Sequence, residues 1–215
     1  MITYYKASKA ISGSLLSINF IAKPDKITEN SRDKGEKAVY ANFVKQTGYD
    51  EKSGNGTFKG GAKLTVKFAQ HEAAGIISAI QKNTSLATVM NTKYVYHDGA
   101  NYGTNITFEP NFKKTKVGDR WEATSEQNGF LFRVTKTDKN NKDSKESIGI
   151  ALNWAELKLL ELYLEEALVR IFDCLFSEDI NRAKTINAKK ATNQAEPTPE
   201  MNEDGQTDGG DDFPE

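Results

Sequence analysis

Apolar and polar residues alternate through "SLLSINFI", Ser14 to Ile21, which places Leu16, Ile18 and Phe20 on one face of a strand. A polar, charged stretch, "KPDKITENSRDKGEK", follows as a loop from Lys23 to Lys37. "AVYANFVKQT" predicts a second strand with Val39, Ala41 and Phe43 on one side, and "GYDEKSGNG" predicts a turn. "TFKGGAKLTVKF" then predicts a half-buried strand: Leu64, Val66 and Phe68 point one way, Lys63, Thr65 and Lys67 the other. It runs straight into "AQHEAAGIISAIQKN", where Ala73, Ile76, Ile77 and Ile80 recur at helical spacing, with Gly75 weakening the helix.

Two hairpins come next. The first, "TKYVYHDGANYGTNITFEPNF", turns at Asp98 to Asn101; the second begins where Phe130, Phe132 and Val134 alternate with Leu131, Arg133 and Thr135. A long amphipathic helix follows, from about Trp154 to Phe176, with Leu157, Leu160, Leu164, Leu168, Ile171 and Leu175 as its apolar stripe. Asn153 and Glu156 supply an N-cap and a capping box. After Phe176 the pattern predicts a helix fraying into a polar linker. The element order is antiparallel α+β rather than doubly wound α/β.

Leu64–Ile80 and Ile148–Leu164 share one pattern at an offset of 84 residues. Each is an alternating strand that enters an amphipathic helix without a loop. Phe68 corresponds to Leu152, Glu72 to Glu156, and Ile76 and Ile80 to Leu160 and Leu164. A duplicated unit of this kind predicts two antiparallel sheets with their two helices packed together.

Charge changes the picture more than overall composition does. From residue 191 to 215 there are eight acids and no Lys or Arg. Residues 1–190 therefore hold all 29 bases against 22 of the 30 acids, a net charge of +7. The acidic segment has almost nothing apolar to bury, which predicts disorder. The boundaries expected are a nucleic-acid-binding domain over 1–180 and a disordered linker and acidic tail over 181–215. A basic body suggests a polyanionic partner.

Candidate contacts follow from single-strand chemistry, which combines cations tracking phosphates with rings on which bases stack. Lys59, Lys63 and Lys67 share one parity and so one face of the predicted strand. "FEPNFKKTK" sets Phe112 beside Lys113 and Lys114; Trp121 follows Arg120 in an expected loop; Arg133 lies opposite Phe130 and Phe132. Tyr4, Tyr5 and Lys6 form another aromatic-basic cluster near an expected flexible end. The tip "DDFP" offers Phe213 and Pro214 as an apolar anchor, with Asp211 and Asp212 steering a protein partner.

Enzyme, metal and cofactor chemistry find no such support. Two histidines, His71 and His97, and one cysteine, Cys174, match no zinc spacing, and "GNGTFKGGAK" lacks the lysine-serine ending of a phosphate loop. A single cysteine fits a reducing compartment, and the N-terminus carries no secretion signal, so the expectation is a cytoplasmic protein, in a host cell if the source is viral.

The pseudo-duplicated strand-strand-strand-strand-helix unit resembles the Whirly fold, and "FKGGAKL", Phe58 to Leu64, is similar to the lysine-glycine-lysine-alanine-alanine-leucine motif of Whirly proteins, with Gly61 where that motif has its second lysine. "GGDDFPE" resembles the acidic tips of bacterial and phage single-stranded-DNA-binding proteins, although Pro214 and Glu215 follow Phe213 where the usual tip ends on Phe. These resemblances imply a phage-type homo-oligomer that binds single-stranded DNA during replication or recombination and recruits partners through its tail. Alternatives are an RNA-binding or transcription-regulating protein of the same fold class and an oligomeric interaction module. An OB barrel carrying the same tail also suits the strand count.

Overall fold

In the computed structural model the described residues are 1–28, 31–93, 95–118 and 120–194, with side chains described at all of these except 26–28, 31–33, 121 and 189–194. Asp211, Asp212, Phe213 and Pro214 lie outside them. In chain order the elements are β1 (Ile2–Lys6), β2 (Ser14–Ala22), β3 (Lys26–Thr28), β4 (Ser31–Asp33), β5 (Lys37–Lys45), β6 (Gly48–Asp50), β7 (Asn55–Thr57) and β8 (Lys63–Phe68), then α1 (Gln70–Gln81) and α2 (Leu86–Val89). There follow β9 (Val95–Asp98), β10 (Tyr102–Val117), β11 (Arg120–Asp138), β12 (Lys145–Leu152) and α3 (Trp154–Gln194).

The chain divides into two units, Met1–Glu178 and Asp179–Glu215. The first holds two four-stranded antiparallel sheets, ordered β1-β2-β5-β8 and β12-β11-β10-β9. Each sheet is an open meander with its own edges rather than one closed barrel, which removes the OB alternative. The predicted loop after Ala22 holds the short β3–β4 hairpin, and the predicted turn after Thr47 holds the β6–β7 hairpin. The described part of the second unit is helical to Gln194, where the sequence predicted a fraying linker. Polar sequence hides such a helix because no apolar stripe marks it.

The offset of 84 holds in three dimensions. Phe68 ends β8 and Leu152 ends β12; Gln70 opens α1 and Trp154 opens α3. Leu64, Val66 and Phe68 are buried, as are Ile148, Ile150 and Leu152. The helix caps also match. The carboxylate of Glu72 accepts from the Ala69 amide at 2.8 Å, and that of Glu156 accepts from the Asn153 amide at 2.8 Å. Asn153 Oδ1 returns the bond, accepting from the Glu156 amide at 3.0 Å.

The inner faces of the two sheets meet through aromatic rings. Phe43 of the first sheet stands edge-on to Phe132 of the second at 5.0 Å between centroids, and Phe68 lies 6.0 Å from the same ring. The α3 stripe predicted from Leu157 to Leu175 faces this core: Leu157, Leu160, Leu164 and Ile171 are buried within the protomer, and Leu168 and Leu175 are partly buried. Gln81 Nε2 donates to Glu161 Oε1 at 2.9 Å, joining α1 to α3. Gly75 is no weakness in α1, because a Cβ there would come 2.8 Å from Met90 Sδ; its bareness lets α2 and the turn after it pack close.

Tyr4 and Lys6 belong to this frame rather than to a flexible end. Tyr4 is buried on β1 and its hydroxyl donates to the Glu156 carbonyl at 3.1 Å. Lys6 Nζ binds both oxygens of the Glu156 carboxylate, at 2.6 and 2.7 Å.

Candidate nucleic-acid interface

Alternation along β8 sends Lys63, Thr65 and Lys67 outward, and all three are exposed. Antiparallel register continues each outward residue across the sheet. Lys67 lies opposite Tyr40, which lies opposite Asn19; Thr65 lies opposite Asn42, which lies opposite Ser17; Lys63 lies opposite Val44, which lies opposite Leu15. Tyr5 extends this last row onto β1. Thr65 Oγ1 donates to Asn42 Oδ1 at 2.8 Å, so the middle of the face is a hydroxyl-amide row.

Lys67 is engaged. Its Nζ donates to Glu36 Oε1 at 2.9 Å and stands 5.7 Å from the Tyr40 ring centroid. The Tyr40 hydroxyl also donates to Glu36. The hydrogen bonds from Tyr40 and then from Lys67 hold the Glu36 carboxyl below its ordinary range. The same contact with Glu36 holds the Lys67 ammonium above its own. A polyanion reaching Lys67 must displace this carboxylate. Tyr5, half exposed, stands edge-on to Phe58 at 5.2 Å.

Lys59 is not on the strand. It lies in the turn between β7 and β8, where Gly60 takes φ +74° and breaks the alternation that the sequence suggested. Gly61 explains the departure from the lysine-rich motif. A Cβ at this position would come 2.1 Å from the Lys45 carbonyl oxygen, so no lysine fits there without moving the backbone.

The remaining predicted contacts fall elsewhere. Arg133 is exposed on the outer face of the second sheet, its side chain lying across Gly149 on β12. Phe112, Lys113 and Lys114 are exposed on the outer half of β10. Lys113 is ion-paired with Glu126. Trp121 is in β11, the register partner of Lys116, and not in a loop. The predicted residues thus occupy three places: the outer face of the first sheet, the outer face of the second, and the β10–β11 hairpin.

Sequence reading missed the cleft between β8 and the β9–β10 turn, about 480 Å³, where Lys136 Nζ sits 4.0 Å from the Tyr102 ring centroid. It also missed His97, whose Nε2 meets Glu72 Oε1 at 2.7 Å. That bond raises the His97 pKa, against burial that would lower it. Burial pushes Glu72 up, but His97 and the Ala69 amide outweigh it and leave the carboxyl lowered. Among the described residues no cluster of three His, Cys, Asp or Glu side chains could hold a metal ion, and no helix is long and apolar enough to cross a membrane.

Three solved structures share this architecture. WHY3 from Arabidopsis thaliana superposes with a TM-score of 0.54 at 16% identity, over 86% of this chain and 95% of that one. The fold is Whirly-like. The plant transcriptional regulator PBF-2 superposes with a TM-score of 0.55 at 14% identity, over 83% of this chain and 85% of that one. WHY1 from Arabidopsis thaliana gives 0.51 at 15% identity, over 79% and 88%. No family model matches the sequence, and no curated protein matches it. The likeness to these proteins is therefore one of fold.

Proposed function

We propose that the chain binds single-stranded DNA without strong sequence preference, in replication or recombination, and recruits partner proteins through its acidic tail. The observation that carries this reading is the outer face of the first sheet. Lys63 and Lys67 stand exposed beside a hydroxyl-amide row, with Tyr40 and Tyr5 on flanking rows. Cations of this kind follow a phosphate backbone while rings and amides meet bases in any order. Arg133 on the second sheet supplies a further cation, and Phe112, Lys113, Lys114 and Trp121 on the β10–β11 hairpin form a separate nucleic-acid contact outside the single-strand surface. The charge division supports the same partner, since residues 1–190 carry a net +7. The tail anchors, Asp211, Asp212, Phe213 and Pro214, belong to the recruiting role.

A homo-oligomer is part of the proposal. Beyond its buried stripe, α3 exposes Leu159, Leu162, Val169, Phe172 and Phe176. Apolar exposure on this scale along one helix marks a protein contact. A second reading, transcription regulation, is favoured by the likeness to PBF-2, a plant transcriptional regulator. Titrating oligo-dT, oligo-rU and duplex DNA across a salt series separates these. The proposal requires tightest binding to oligo-dT with a steep salt dependence. Preference for oligo-rU would move the function to RNA, and sequence-dependent binding would favour the regulatory reading.

A further inference from the structure

We infer that the outer ribbon of the β10–β11 hairpin docks in the groove of duplex DNA, so that the protein engages junctions between single and double strands. The junction half of this inference rests on the single-strand reading; the duplex contact does not. The ribbon begins where the sheet ends. β12 pairs with β11 only from Phe130 to Thr137, and β9 pairs with β10 only from Gly103 to Ile106. Register slips at Asn111/Phe112 and Phe112/Lys114 separate the outer hairpin from the sheet. Gly129 marks the same boundary. Its φ is +136°, and a Cβ there would come 1.9 Å from the Leu152 carbonyl oxygen, so the chain can diverge from β12 only with glycine at this point.

Gln127 Nε2 donates to Asn83 Oδ1 at 2.7 Å at the ribbon's base, and beyond it every residue from Phe112 on β10 through to Gly118 is exposed. Six residues of β10 reach roughly 20 Å. A lone two-stranded ribbon is marginally stable in water, so a partner that seats it would steady it. A projecting two-stranded ribbon matches the major groove, about 12 Å wide, which admits two antiparallel strands.

Charge is sorted between the faces. Across the last four pairs, Lys114 and Lys116 share one face with the register positions of Ala123 and Trp121. Glu122 belongs to the other face, opposite Thr115, and Arg120 lies opposite Val117. Glu126 is taken up by Lys113. Among the described residues no carboxylate lies within ion-pair distance of Lys114 or Lys116. Among the described residues this ribbon face therefore carries Lys114 and Lys116 and no acid, which suits phosphates on a groove rim.

The test compares the full chain with its Lys114→Gln/Lys116→Gln variant on three probes by fluorescence anisotropy: oligo-dT, a blunt duplex, and the same duplex with the oligo-dT as an overhang. Both lysines are exposed, so the variant keeps the fold, which circular dichroism verifies. The wild type should bind the overhang probe more tightly than oligo-dT. The variant should lose that gain, up to about 60-fold at 0.1 M salt for two phosphate contacts on duplex, and should bind oligo-dT as before. Equal losses on oligo-dT and on the overhang probe would overturn the inference and make the ribbon part of the single-strand site. No loss on any probe, or a variant that changes assembly size, would also overturn it. If the wild type ignores oligo-dT while the variant still loses duplex affinity, the ribbon contact stands and the single-strand reading falls.

Discussion

Replacing Lys63 and Lys67 together with Gln tests the outer face of the first sheet directly. Each phosphate contact on a single strand contributes about 0.7 to the slope of log affinity against log salt. Losing two should flatten the slope by about 1.4. Where a contact is worth little at 1 M salt, that change is a loss of about 25-fold at 0.1 M and about 10-fold at 0.2 M. The pair need not contribute equally. Lys67 starts bonded to Glu36 at 2.9 Å, so its contact with phosphate must first break that bond. Glu36→Gln should therefore act in the opposite direction and raise affinity by up to about fivefold at 0.1 M, one contact's worth. Folding should survive both changes, because Leu64, Val66 and Phe68 keep the inward side of β8. The assay is anisotropy of labelled oligo-dT across a salt series, read as a slope. A folded double variant with the wild-type slope would show that this face does not touch the strand, and the function proposed for it would have to move to Arg133 or the hairpin.

Four further outcomes are expected. Gln46→Ala should destabilise the fold by about 2–4 kcal/mol in urea titration, because the buried Gln46 amide accepts from the Ser8 and Gly13 amides and donates to the Ser8 and Gly48 carbonyls. His97→Gln should cost most stability between the ordinary values of Glu72, 4.5, and of His97, 6.5, because the raised His97 pKa stabilises below 6.5 and fades as pH rises through its folded value, while the lowered Glu72 pKa stabilises above 4.5 and fades as pH falls. The Tm gap between wild type and variant should thus narrow from about pH 5.5 to about pH 8.5, and a constant gap would refute the pairing. Leu162→Glu with Phe176→Glu should reduce assembly mass in light scattering without lowering helicity, since both side chains are exposed in the protomer. Removing residues 195–215 takes all eight acids beyond residue 190 while sparing α3, so oligo-dT affinity should rise at low salt and converge with wild type at high salt.

What the sequence made legible follows from periodicity, and what it hid follows from distance along the chain. Leu64–Phe68 and Phe130–Val134 alternate, so their strands and inward faces could be read directly. The offset of 84 was legible because a strand that enters a helix without a loop forces cap, glutamate and apolar stripe into fixed spacing. Lys59 was misplaced because parity was carried through Gly60 and Gly61, where the backbone is not extended. β1 was missed because five residues at a chain end give too short a pattern, and only the register of Tyr4 against Leu16 fixes it. The bonds of Lys67 to Glu36 and of Gln46 to Ser8 join residues 31 and 38 positions apart, which no local pattern reports.

The two repeats are also joined at their helix starts. The glutamate that caps α1, Glu72, is bound by His97 from β9, the first strand of the second repeat. The glutamate that caps α3, Glu156, is bound by Lys6 from β1, the first strand of the first repeat. Each helix start is held by a basic side chain from the opposite repeat, which ties the two halves together. The outer faces have had no such mutual constraint. Val39 pairs with Phe68 as Phe130 pairs with Leu152, which makes the row Asn42–Thr65 on the first sheet equivalent to Arg133–Gly149 on the second. An amide and a hydroxyl on one face have become a guanidinium lying across a bare backbone on the other. A ligand that crosses both faces therefore meets a hydroxyl-amide row between Lys63 and Lys67 on the first and a guanidinium at the equivalent row of the second, a difference that the inner, mutually packed surfaces do not share.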